Sequence, residues 1–227
     1  DWWYVENGRI TFHCNGLVRG LVNGNDTWWY VTGSKVNFCN TVASNACGWW
    51  KITNGRVDFD FSGLAENAYG WWKITNGQVD FSYVGYEQNG SNWWYVYGGQ
   101  VCFQATDVLP GTVGGQYGWW KVCEGKVNFD DDVCENAYGW WKITTGKVDF
   151  QYTGLAQNAC GWWMIQNGHV NFGSNGLVDN GNGWWLVKNG GVDFNYNGLV
   201  DNGNGWWLIR NGYVDFNYNG LVDNGNG

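Results

Sequence analysis

Twenty tryptophans in a chain of 227 residues carry most of the chemistry this sequence can offer. All of them fall in ten Trp-Trp pairs, beginning at residues 2, 28, 49, 71, 93, 119, 140, 162, 184 and 206. An indole directed outward can stack on a sugar ring or form one wall of a cage for a quaternary ammonium, because its face carries negative potential. From the second pair onward the first Trp is the candidate ligand contact: Trp28, Trp49, Trp71, Trp93, Trp119, Trp140, Trp162, Trp184 and Trp206. Packing between neighbouring repeats competes for the same rings, since large aromatics are often partly buried for stability alone. Exposure of the first Trp beside a Tyr would favour binding, and burial equal to that of the second would favour a spacer.

The remaining reactive side chains form no constellation. His13 and His169 sit on different units with no Ser or Cys at a matching place. Asp130, Asp131 and Asp132 fall in a corner between units and read as a solvated turn. The DNGNG runs at Asp179, Asp201 and Asp223 lack the alternating ligands and distal Glu of a calcium loop. Seven cysteines show no CxxC pair, which argues against zinc. Cys14 with Cys39, or Cys102 with Cys123, stand on adjacent units where a bridge is within reach, so the sequence leaves a disulfide open. Cys47 and Cys160 replace Tyr69, Tyr117 and Tyr138 of other units, which suggests a shared, partly buried position. A row of near-copies does not converge unlike residues on one pocket, so the chain reads as non-enzymatic, with no metal and no cofactor. A net charge of -8 with Lys and Arg scattered singly gives no footprint for nucleic acid. No run of about 18 apolar residues exists for membrane insertion.

What must position the tryptophans is a repeat. The steps between pairs are 26, 21, 22, 22, 26, 21, 22, 22 and 22, so a 91-residue period overlies one of 22. The whole of 1–227 reads as one elongated array: related blocks 1–92 and 93–183, then further copies over 184–227. A start at Asp1 and a stop at Gly227, where another pair falls due, read as a piece of something longer. Each unit runs approximately WWKITNGKVDFxYxGLxxNxxG. Asn-Gly, present in six units at the turn, is a strong hairpin signal because a type I′ turn needs positive φ at both central residues. The two-residue turn fixes a register in which Ile74 faces Val79, Lys73 faces Asp80 and Trp72 faces Phe81.

Alternation then assigns two faces. The second Trp, the following Ile or Val, the returning Val or Ile, and Phe form the expected core, with Phe12, Phe38, Phe59, Phe81, Phe103, Phe129, Phe150, Phe172, Phe194 and Phe216 at one position. The other, wet face carries the first Trp and a variable residue, with expected cross-strand pairs Lys51 to Asp58, Lys73 to Asp80 and Lys142 to Asp149. Hairpins cannot stand alone, so the expectation is an all-β fold: tandem β-hairpin repeats of about 22 residues stacked as a β-solenoid, with Gly-rich corners between them. Longer connections such as 104–118 mark places for a turn or bulge.

Units such as Gly48-Trp49-Trp50-Lys51-Ile52-Thr53-Asn54-Gly55 and Gly139-Trp140-Trp141-Lys142-Ile143 resemble the tandem aromatic-rich wall-anchoring repeats of exported proteins from Gram-positive gut bacteria. They are more distantly similar to choline-binding and glucan-binding repeats, whose pattern resembles GWxxxxGxWYYLxxxGxMxTGW. Here WW replaces WYY, the turn is about one residue shorter, and Phe stands where Met would. The resemblance implies ligands in aromatic pockets between successive hairpins, and repeats that tether an attached domain to the envelope. The reading is a secreted or surface-located module binding cell-wall polymer or surface glycan. The alternatives are a structural spacer, stalk or fibre that self-associates into longer arrays, or an adhesin whose outer residues Lys51, Tyr95, Met164 and Leu186 suit a host ligand.

Overall fold

The computed structural model describes residues 1–223. They fold into twenty-seven strands, all paired antiparallel in the registers that can be assigned, and no helix. The chain is therefore all-β, built of hairpin repeats that stack as in a solenoid. It divides into two compact units. The first comprises Asp1–Thr106, Gly111–Tyr117 and Val122–Val127, and the second Asp107–Pro110, Gly118–Lys121 and the chain from Asn128 onward.

One repeat of the first unit shows how the sequence builds the fold. Gly70–Thr75 and the short strand Gln78–Val79 flank the turn Asn76-Gly77, with φ of 49° and 80°, and Ile74 pairs with Val79 as the turn predicts. Ile52, Ile74, Ile143, Ile165 and Ile209 are completely buried, with Val57, Val79, Val148, Val170 and Val214 beside them. Each such side chain contributes roughly 1.5–3 kcal/mol over leaving it in water. The expected Ile and Val core is thus present.

The corner is not a corner. Gly63–Asn67 is a strand of its own, pairing Leu64 with Lys73, Ala65 with Trp72 and Glu66 with Trp71, so each repeat has three strands where two were expected. The longer connections behave alike: Gly16–Val22 extends the hairpin to seven pairs with Asn25–Thr32, and 104–118 contains the strand Asp107–Val113.

The short third strand joins repeats. Gln78 pairs with Thr75 on one side and with Trp50 of the preceding repeat on the other. Lys51 N–H donates to Gly77 O at 2.8 Å and Lys73 N–H to Gly99 O at 2.8 Å. Within the second unit Lys142 donates likewise to Gly168 O and Met164 to Gly190 O. From Gly55 to Gly212 each turn between a Trp-bearing strand and its short partner docks in this way on the preceding repeat's backbone, which is why its second residue is Gly. A Cβ on Gly77 would lie 2.6 Å from Asp58 O.

Two face assignments are corrected. The ten Phe are not core: each is more than one-third exposed, from 39% at Phe194 to 66% at Phe12. The strand ends at Val79 because Asp80 Oδ1 accepts the N–H of Ser82 and Asp80 O that of Tyr83, turning the chain before Phe81 can continue the pleat. Nor is the lysine face wet. Lys73 and Lys142 side chains are only 12% and 11% exposed, lying 5.3 and 5.7 Å from the ring centres of Tyr83 and Tyr152. Lys73 pairs with Glu87 at 2.8 Å and Lys142 with Asp131 at 3.6 Å, not with Asp80 and Asp149. Lys51 donates to Ile52 O, and burial lowers its ammonium below the ordinary lysine range although Asp58 opposes this.

Candidate functional site

The second Trp of a pair is held first. In four repeats its indole N–H donates to an Asn side chain five residues earlier, Trp50 to Asn45, Trp72 to Asn67, Trp141 to Asn136 and Trp163 to Asn158, at 2.9–3.1 Å, whereas Trp29 donates to Gly20 O and the buried indole N–H groups of Trp185 and Trp207 have no partner among the described residues. The same Asn donates back to a carbonyl of the preceding repeat, Asn67 to Val42 O and Asn158 to Val133 O. Sequence reasoning missed this residue because it lay in the supposed corner, although its fixed offset from the Trp is a readable signal. Replacing Asn67 with Ala removes the partner of the Trp72 indole N–H, the Val42 carbonyl and the exposed Tyr69 N–H, and is expected to cost about 2 kcal/mol in urea unfolding. An unchanged midpoint would remove the Asn from this role.

Against the second Trp of several repeats come two other rings. Trp49 lies 4.9 Å from Trp72 of the next repeat and 5.9 Å from Phe81, which is itself edge-on to Trp72 at 5.8 Å. Trp71, Trp94 and Phe103 repeat the triplet in the first unit. Trp140, Trp163 and Phe172, and Trp162, Trp185 and Phe194, repeat it in the second. Trp119 meets Trp141 at 5.6 Å, and Trp184 stacks on Trp207 at 6.2 Å. Tyr69 and Tyr138 approach Trp49 and Trp119 at 6.0 and 5.4 Å. The exposed Phe therefore has a purpose that a core assignment would not give it: it closes an aromatic group between repeats.

Trp28 differs. It is 38% exposed and forms no ring pair, and with Trp50, Phe59, Leu17, Val57, Asn45 and Cys47 it lines a cavity of about 140 Å³. Where Tyr69 leans on Trp49, the smaller Cys47 leaves room. Trp93 is half-buried and belongs to no triplet of its own unit, and Trp206 is 65% exposed without a ring partner among the described residues. The first tryptophans from Trp49 to Trp184 are all half-buried, between the two outcomes that would separate a binding surface from a spacer.

A scan against family models matches the choline-binding repeat over residues 1–11, 19–37, 60–80, 82–102, 151–171, 173–193 and 195–215, more than half of the chain. The chain belongs to the choline-binding repeat family. Its resemblance to that family therefore holds despite WW for WYY and Phe for Met. No curated protein matches it. Among solved structures it is similar to CbpJ from Streptococcus pneumoniae TIGR4, at 12% identity over 94% of this chain and 87% of that one, TM-score 0.36. It is also similar to CbpF crystallised in complex with ipratropium by soaking, at 14% identity over 97% and 82%, TM-score 0.32.

Rings in these choline-binding repeats already carry cations of the chain itself. Lys35, Lys126 and Lys147 place Nζ 5.6–5.8 Å from the centres of Trp3, Trp94 and Trp120. His169 and Tyr213 take the same place against Trp141 and Trp185.

The other sequence candidates resolve simply. All seven cysteines are free thiols, and neither Cys14 with Cys39 nor Cys102 with Cys123 is bridged. Cys47 and Cys160 are exposed, as are Tyr69, Tyr117 and Tyr138, so that shared position is a hairpin tip and not a partly buried site. Asp179 and Asp201 spend Oδ1 on the N–H of Gly181 and Gly203 within their own turns. The third DNGNG run continues from Asp223 into 224–227, outside the described residues, as does the expected break at Gly227. Among the described residues no group of three or more His, Cys, Asp or Glu is placed to hold a metal, and no helix is long and apolar enough to cross a membrane.

Proposed function

We propose that this chain is a non-enzymatic attachment module that binds choline groups of a cell-wall polymer between successive repeats, and so holds an exported protein at the cell surface. The observation that carries the reading is the aromatic triplet, formed by the first Trp of one repeat with the second Trp and Phe of the next, in a chain of the choline-binding repeat family. Three ring faces favour a trimethylammonium over a primary amine, because the methyl groups can be desolvated against ring faces at little cost. Several such groups in series give avidity toward a polymer that presents choline repeatedly, even where each is weak.

The groups are not equivalent. With their paired indole centres 4.9–5.4 Å apart, the triplets at Trp49, Trp71, Trp140 and Trp162 must spread to admit a cation, whereas the Trp28 cavity is open beforehand. Calorimetric titration of the chain with choline chloride is expected to show one tighter class of site followed by weaker ones, with ethanolamine producing neither. No heat and no change in Trp emission at millimolar choline would sink the proposal and leave the spacer, for which the ring contacts serve only to join repeats.

A further inference from the structure

The second unit holds a trough of about 820 Å³ outside the ring triplets, touching them only at Trp162. Its size suits a bound ligand. A smaller trough of about 290 Å³ lies 91 residues earlier, where Lys51, Phe61, Glu66 and Trp71 stand in the places of Lys142, Tyr152, Gln157 and Trp162. The two duplicated blocks thus keep one feature and differ in how far it is open. In the first, Glu66 accepts the Trp71 indole N–H at 2.9 Å. In the second, neither the Gln157 side chain nor the Trp162 indole N–H has a hydrogen-bond partner among the described residues, and both residues line the trough.

The charges along its wall narrow the ligand. Lys121 is paired with Asp132 at 2.7 Å, and Lys142 with Asp131 at 3.6 Å while donating to Ile143 O. Both cations are spent, and Asp130 leaves the wall one charge negative, so a phosphate or carboxylate is disfavoured. A quaternary ammonium finds no cage, because the Tyr152 ring is already covered by Lys142. The N–H of Thr145, with Lys142 nearby, holds the Asp131 carboxyl below the ordinary carboxylate range, so it stays an acceptor at neutral pH. What remains is an indole, a free amide and carboxylate lone pairs: an apolar plate beside donors and acceptors that suit a neutral, hydroxyl-rich ring.

We propose that this trough is a saccharide subsite, taking a pyranose segment whose flat face lies on Trp162 and whose hydroxyls bond to Gln157 and the Asp130 and Asp131 carboxylates. It does not depend on choline binding, though one polymer could engage both through the shared Trp162.

The test is amide chemical-shift mapping on the full chain, titrated separately with maltotetraose, with a tetramer of N-acetylglucosamine, and with choline chloride. At least one tetrasaccharide should shift the amides of Gln157, Asn158 and Lys142. Gln157→Ala and Asp130→Ala, both at exposed positions, should each weaken that response by about tenfold and leave the choline response unchanged. Silence of the trough toward both sugars, or indifference to both substitutions, would overturn the subsite. Trough shifts without any choline response would instead overturn the attachment reading alone.

Discussion

Gly77→Ala is expected to lower the unfolding free energy by about 3 kcal/mol or more, a far larger effect than a turn substitution ordinarily has. Two costs combine. At φ +80° an L-residue loses roughly 1–2 kcal/mol to contact between its Cβ and its own carbonyl. The added Cβ would also stand 2.6 Å from Asp58 O and 2.7 Å from Phe59 Cα, both backbone atoms of the preceding repeat that no rotamer change can move. The turn must then withdraw, breaking the bonds from Lys51 N–H to Gly77 O and from Gly77 N–H to Phe61 O, each 2.8 Å. Gly24 supplies the control. Its φ is +81°, yet nothing lies within 4 Å of its Cβ position, so Gly24→Ala bears the conformational cost alone, about 1–2 kcal/mol. Urea unfolding of both variants separates the terms. Equal losses would show that turn conformation, and not docking between repeats, fixes glycine at this position.

That contrast marks how far the sequence could be read. Asn-Gly and the flanking alternation correctly placed Ile74 against Val79 and the buried Ile and Val column, because hairpin register follows from local chemistry alone. The docking of Gly77 was invisible, since it depends on a neighbour 18 or 19 residues back. The errors have the same origin. Period-two alternation was carried through Val79 to Phe81, but Asp80 accepts the Ser82 N–H and ends the strand, as Asp149 does with Gln151 and Asp193 with Asn195. An Asp or Asn at that place in most units is a turn signal in its own right. It was spent on an imagined pair with Lys73, which in fact turns under Tyr83 toward Glu87. Gly63–Asn67 escaped notice because five residues with one large apolar side chain show no alternation, and their strand character comes from the Trp-bearing strand they pair with. The candidate tryptophans were identifiable by type. Their exposure was not, because the rings that half-cover Trp49 and Trp71 belong to the following repeat.

The dependence of each first Trp on the repeat after it makes Trp28 the most informative ligand-site substitution. Trp28 is a wall of the open cavity, is 38% exposed, and supports no ring contact that the core needs. Trp28→Ala is therefore expected to leave the thermal midpoint nearly unchanged while removing one of three aromatic walls, with Trp50 and Phe59 remaining edge-on to each other at 5.6 Å. A desolvated cation over an indole is worth about 2 kcal/mol, so the tighter class of choline site should weaken roughly thirtyfold and merge with the weaker ones. Trp206→Ala removes an equal ring that is 65% exposed and without a ring partner among the described residues, and should alter neither class. Trp49→Ala falls between them: it opens a packed triplet, so both stability and one weaker site should suffer. If calorimetry finds the tight class intact in Trp28→Ala, the preformed cavity is not the first site to fill. Selectivity would then have to come from a triplet that opens on binding, with Trp49, beside Tyr69, the first to substitute.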